Sequence, residues 1–248
     1  MSAIFEILDK DAGGRIGKLR TPHGVVETPT VMPVINPNIQ LISPPKEMRS
    51  FGGAEILITN SYIIYRKEEL RTVALEKGLH ELLGFDGPIM TDSGSFQLSV
   101  YGSVEVTNEE ILGFQEKIGS DIIVPLDIPT PPDVHFRRAE EELATTAERL
   151  EAARKFIQSK QLLAGPVQGS TYPELREKAA SHLKDLNFEV YPPLGAVVPL
   201  MESYRYAELV DVIAASKKGL SPTSPVHLFG GRAPDDVCPC SCPWLRPF

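Results

Sequence analysis

Asp92 and Asp127 each close a short apolar, β-branched run, in Ile89-Met90-Thr91-Asp92 and Ile122-Ile123-Val124-Pro125-Leu126-Asp127. Two carboxylates delivered to one face suit general acid and base work, or attack at a sugar carbon, because one can bear charge while its neighbour holds a proton. Gln168, in Gly165-Pro166-Val167-Gln168-Gly169, carries a donor and an acceptor on one amide. It can therefore read the edge of a planar heterocycle while Asp127 accepts from ring N–H groups. Phe96, in Thr91-Asp92-Ser93-Gly94-Ser95-Phe96-Gln97, is placed to stack on such a ring, with plain core packing as the competing reading. Gly195 and Ala196 leave room for backbone amides to approach a ligand. Asn60, followed by Ser61, reads first as a helix cap or turn former.

These residues need elements that bring them together. From about residue 30, short β-branched runs alternate with longer amphipathic stretches, the βαβ pattern of a parallel sheet covered by helices. Seven strands are expected: 28–35, 55–60, 88–93, 121–127, 162–169, 194–200 and 225–230. Helices are expected between most of them, including 108–118, 135–159, 172–186 and 204–218. Thr107 before Asn108-Glu109-Glu110 marks a helix start, and Lys217-Lys218-Gly219 a helix end with a terminal glycine. The charge-dense stretch from Arg137 to Arg154 reads as a solvated helix face. Phe5 to Val26 reads as a hairpin turning at Gly13-Gly14, with another turn at His23-Gly24. Four of the five polar or small features named above then fall at C-terminal strand ends, the edge where parallel α/β barrels place their active sites.

Composition narrows the function. With 25 Lys and Arg against 33 Asp and Glu, the formal charge is −8, which argues against non-specific coating of nucleic acid and leaves a local basic patch open. No run of about 18 apolar residues occurs and no basic-then-apolar leader opens the chain, so a cytoplasmic protein without membrane association is expected. Phosphate-loop and G-x-G-x-x-G spacings are absent, which argues against nucleotide cofactors. The five histidines show no metal-ligand spacing and read as surface or packing residues, so no metal ligand is assigned. Cys238, Cys240 and Cys242 are the only cysteines, so no disulfide can staple the body of the fold.

Three strings, the one around Asp92, then Leu126-Asp127-Ile128-Pro129, then Gly165-Pro166-Val167-Gln168-Gly169, resemble the tRNA-guanine transglycosylase family. The resemblance runs from about Phe5 to Gly230, and Met32-Pro33-Val34 and Glu55-Ile56-Leu57-Ile58-Thr59-Asn60-Ser61-Tyr62 extend it. Asp127-Ile128-Pro129-Thr130-Pro131-Pro132-Asp133 and the stretch from Gly195 to Tyr204 are most similar to its archaeal branch. The resemblance implies a TIM (β/α)8-type barrel that exchanges guanine in the D-loop of tRNA for 7-cyano-7-deazaguanine, toward archaeosine. It implies Asp92 as a catalytic aspartate, Ser93, Asp127, Gln168, Gly195 and Ala196 as base contacts, and Phe96 as the stacking ring. A homodimer is compatible with it.

After Gly230 the pattern changes: the family's Ala-Gly-His-Pro-Met and its later Asp-Leu-Phe-Asp motif do not occur. Residues 1–230 are therefore read as a catalytic barrel domain, incomplete at its C-terminal end, and 231–248 as a non-native tail compatible with a one-nucleotide frameshift. The full-length family form holds Zn2+. Here Cys240-Ser241-Cys242-Pro243 resembles its Cys-x-Cys-x-x-Cys motif, but Leu245 stands at the third position, so the zinc ligands are read as absent. Two further readings remain open: a non-catalytic tRNA- or base-binding partner subunit, and an unrelated barrel glycosidase using Asp92 and Asp127.

Overall fold

The computed structural model describes residues 4–12, 14–39, 44–97, 106–157 and 159–230, without the side chains of 51–52 and 191–194. Three antiparallel strands open the chain: β1 (Phe5–Asp11), β2 (Gly14–Thr21) and β3 (Gly24–Thr28). A parallel sheet follows in sequential order: β4 (Val34–Ile35), β5 (Leu57–Asn60), β6 (Ile89–Asp92), β7 (Ile122–Ile123) and β8 (Leu162–Leu163). A parallel bridge from Ala164 to Val190 leads on to β9 (Tyr191–Leu194), which pairs in parallel with β10 (Val226–Leu228).

Helices fill the crossovers. α1 (Pro45–Gly52), α2 (Ser61–Arg66), α3 (Glu68–Lys77) and α4 (Leu79–Leu83) lie between β4 and β6. α5 (Asn108–Lys117), α6 (Phe136–Phe156), α7 (Pro173–Asp185), α8 (Val198–Glu202) and α9 (Tyr206–Gly219) complete the set. Thr107 caps α5 as its sequence demands: it accepts from the Glu110 amide while Glu110 reaches back to the Thr107 amide. In α6 the apolar stripe Ala139, Leu143, Leu150 and Ala153 faces inward, and the pairs Arg137–Glu141 and Arg138–Glu142 sit on the outer side, so the solvated-face reading holds.

Strand alternation sorts the core into layers. Leu57, Ile89, Ile123 and Leu163 face the helices, packing on Ile64, Leu79, Ile111 and Phe114 or on Leu143, Leu150, Leu175 and Leu183. Ile58, Met90, Ile122, Leu162 and Val190 face the other way, onto Leu19 and Val26 of the opening hairpin. Burial of each such side chain contributes about 1.5–3 kcal/mol. Met32, before β4, and Phe229, after β10, pack against that same inner cluster.

Several strands are shorter than the pattern predicts, because side chains replace the ladder. Beyond Ile123, Pro125 has no N–H to pair, and the amides of Val124, Leu126, Asp127 and Ile128 donate instead to Gln115, Asn108, Ser95 and Thr146. The expected strand 194–200 is corrected: β9 ends at Leu194, and residues 198–202 form α8. Gly219 is the last residue of α9 rather than the residue after it. A Cβ there would lie 2.5 Å from the Glu177 carbonyl oxygen, so its missing side chain serves close packing on α7. Residues 231–248, with all three cysteines and the expected tail, lie outside the described residues.

At the N-terminal edge of the parallel sheet the histidines are less scattered than their spacing implies. Asp121, fully buried, accepts from the His23 amide and ring (2.9 and 2.8 Å), from His80 (3.1 Å) and from the Ile89 amide (2.8 Å). The His23 and His80 rings stack at 3.8 Å. Their ring nitrogens and the carboxylate lie within 4.8 Å of one another, close enough to suggest a metal site. Four N–H donors already fill the carboxylate's lone pairs, which makes the cluster a fastener joining hairpin, α4, β6 and β7.

Burial alone would raise the Asp121 pKa, but His80, the Ile89 amide and His23 more than offset it, so the carboxyl lies below its ordinary value. The stability it contributes is therefore present above the unfolded-state pKa and lost as pH falls through the lower folded one. Asp121→Ala is expected to cost about 3 kcal/mol in urea unfolding at pH 7. Asp121→Asn should lack that acid-dependent component, as a pH series of unfolding curves will show.

Candidate active site

Parallel pairing of β5 with β6 sets Asn60 beside Asp92 at the last position of both strands. Asn60 does two things at once. Its Oδ1 accepts from the Ile63 amide and caps α2, as its sequence position predicts, while its Nδ2 donates to Asp92 (2.9 Å) and to Gln97 (3.0 Å). Ser61 donates to the Asp92 carbonyl at 2.7 Å, fixing the backbone behind the carboxylate. The chain then turns through Gly94 at φ 94°, where a Cβ would also stand 2.4 Å from Tyr62, so only glycine fits.

Ser93 and Ser95 tie this turn to the next strand end. Ser93 Oγ donates to the Pro125 carbonyl (3.1 Å) and lies 3.0 Å from Ser95 Oγ, which accepts from the Asp127 amide (2.9 Å). Ser93 is thus fully buried, and its hydroxyl holds the loop of Asp127. Phe96 is 61% exposed, which removes the plain-core reading.

Asp127 is buried and takes Gln168 Nε2 at 2.5 Å. That bond sets the amide's orientation and leaves Gln168 Oε1 buried with no partner among the described residues. Gly195 follows β9 directly, so it joins the other site residues at C-terminal strand ends. A Cβ on Gly195 would fall 1.9 Å from Gln168 Nε2, and Ala196 sits in the left-handed region at φ 58°. The structure therefore brings Asp127, Gln168 and Gly195 into one cluster, with Asp92 and Asn60 beside it.

The two carboxylates sense each other. Burial, then the charge of Asp127, push the Asp92 pKa up to about 6, against hydrogen bonds from the Gly94 and Ser93 amides and Asn60. Burial pushes Asp127 up as well, opposed by Ser95, Gln168 and the positive charge of Arg149 on α6. Such a pair can hold a proton on one member while the other is charged, and Gln168 Oε1 and the Asp127 carboxylate together offer acceptors to a donor-rich planar ligand.

Sequence reasoning did not find Ser95, Arg149 or the fully buried Arg176, whose roles depend on where the chain folds back. It read Asn60 first as a cap, though one that falls at a strand end. The cysteines resembling a zinc motif lie outside the described residues. No helix among the described residues is long and apolar enough to cross a membrane.

A parallel α/β protein with a carboxylate pair and an amide-lined cluster at its C-terminal strand edge is the class defined by these features. Residues 9–242 match the family described as Queuine tRNA-ribosyltransferase, and the chain belongs to that family. It is 97% identical over 234 residues to the tRNA-guanine(15) transglycosylase of Methanosarcina mazei, covering 94% of this chain and 47% of that protein. The proteins of the same name from Haloarcula marismortui and Pyrococcus furiosus are 57% and 56% identical over 232 and 230 residues, 93% of this chain in each case and 47% and 38% of theirs. The chain spans about half the length, or less, of these curated relatives.

Because the Asp92 pKa is raised, the folded state holds a proton that the unfolded state has released between about pH 4 and 6. Stability therefore falls as pH rises through that window. Asp92→Asn is expected to raise the melting temperature at pH 7 and to leave it nearly unchanged at pH 4, measured by thermal unfolding at both values.

Proposed function

We propose that this chain carries the base-binding part of a tRNA-guanine(15) transglycosylase on an incomplete (β/α)8 barrel. Its reaction is exchange of guanine in the tRNA D-loop for 7-cyano-7-deazaguanine, toward archaeosine, in the cytoplasm. Seven sequential parallel strands and the shared inner cluster of Met32 and Phe229 support the barrel. The names of the archaeal relatives support the reaction class.

The observation that carries the reading is the Gln168 amide held by Asp127 with its oxygen unpartnered. Guanine presents N–H donors along one edge, which two adjacent acceptors complement, and the family resemblance makes Phe96 the stacking ring. Gly195 keeps the space in which Gln168 sits. Ser93 acts by holding the Asp127 loop, and Ala196 by its backbone amide.

In the exchange, a carboxylate oxygen attacks C1′ of the ribose as the C1′–N9 bond breaks, and the leaving guanine takes a proton at N9. The incoming base loses its N9 proton and attacks C1′, releasing the carboxylate. Asp92, with its pKa near 6, is suited to one of the two carboxylate roles.

Titration with guanine and with 7-cyano-7-deazaguanine tests this. Both are expected to bind, and Gln168→Ala should weaken binding at least tenfold, about 1.4 kcal/mol. Binding of tRNA without either base would favour a partner subunit, and cleavage of simple glycosides without base binding would favour a glycosidase.

A further inference from the structure

Arg176 lies one turn into α7 and is 1% exposed, yet none of its hydrogen bonds goes to a carboxylate. Its guanidinium donates to three backbone carbonyls: Val167 (2.5 Å), Ser170 (2.7 Å) and Gly195 (3.0 Å). The first two lie on either side of Gln168 in the segment that follows β8, and the third belongs to the turn after β9. One planar fork thus spans the two strand ends that form the base cluster.

Both turns need such a hold. Ser170 and Ala196 are non-glycine residues at φ 52° and 58°, and each adjoins or carries a carbonyl that Arg176 binds. Gly169 allows the approach: a Cβ there would stand 2.9 Å from the Arg176 amide nitrogen, so the β8 turn rests directly on α7. The Gly195 amide also donates to the Val167 carbonyl at 3.4 Å, but that single long bond leaves the Gly195 carbonyl itself to Arg176.

The Gly195 carbonyl and the Ala196 N–H belong to one planar peptide and point in opposite directions. Holding the carbonyl against Arg176 turns the Ala196 N–H to the far side, where no protein acceptor is found for it among the described residues. Burial lowers the Arg176 pKa to about 9, with the negative charge of Asp127 opposing, so the guanidinium stays charged at neutral pH.

We propose that Arg176 is a positioning residue of the base site: it locks the Gln168 turn to the Gly195-Ala196 turn and presents the Ala196 N–H to an acceptor on the bound purine. This deepens the base-exchange reading and rests on it. Arg176 touches no substrate. Lysine retains charge but cannot span three carbonyls, so Arg176→Lys should not substitute for it.

The test titrates the 248-residue chain and its Arg176→Lys and Arg176→Met variants with guanine by calorimetry, with thermal unfolding of each in parallel. Guanine affinity is expected to fall at least tenfold in both variants while each still unfolds cooperatively. In the unsubstituted chain, guanine should slow hydrogen exchange at the Ala196 amide, a readout that a merely structural role would not move and that needs no variant to fold. Folded variants binding guanine within twofold of the unsubstituted chain, or an Ala196 amide indifferent to guanine, would overturn the assignment alone. Failure of the unsubstituted chain to bind guanine would instead overturn the base-exchange reading, and this assignment with it.

Discussion

Parallel hydrogen bonding between neighbouring strands is the constraint from which the site follows. It forces the strand series to present its C-terminal ends on one edge, and the register of β5 on β6 sets Asn60 directly beside Asp92. Asp127, Gln168 and Gly195 reach the same edge in the segments that follow β7, β8 and β9. Had the sheet been antiparallel, alternate members of this group would stand at opposite ends.

The strands that do this are short, and polar side chains finish them. Gln115 bonds both the N–H and C=O of Val124 while accepting from Thr91, and Asn108 takes the Leu126 amide. Each of these amides bonds through both its oxygen and its nitrogen, so they make rigid replacements for ladder bonds where Pro125 ends the pairing. Arg176 repeats the device at the next pair of strand ends, with a charge in place of an amide. The opposite edge is fastened by Asp121 and its four donors. One end of the sheet is thus closed by a saturated carboxylate, while the other keeps Gln168 Oε1 unsatisfied. An acceptor left open in a buried position costs stability unless a ligand fills it.

Much of this was legible in the chain. Periodicity placed α5, α6, α7 and α9 within a few residues, and the polar run after Met90 pointed to Asp92 because a core strand seldom ends in such residues. It misjudged 194–200, since Val197, Val198 and Leu200 are as apolar as a buried strand would require, and the one local sign against a strand, Pro199 in the first turn of the helix, was not weighed. Gly219 was read as a helix terminator because a glycine after two lysines fits that role, whereas its contact is with α7, far away in sequence.

Residue types and their order along the chain were enough to establish the βαβ alternation, the strand-end aspartates and Gln168, and the family resemblance, since each is written in local pattern. Which groups act on one another was a matter of three-dimensional packing. Asp92 feels Asp127, Asn60 serves carboxylate and helix together, and Arg176 clasps two turns, through contacts between residues distant in sequence. Burial then sets their energies: the same carboxyl that would ionise near pH 4 in an open chain holds its proton to about pH 6 once water is excluded and a second carboxylate is folded in beside it.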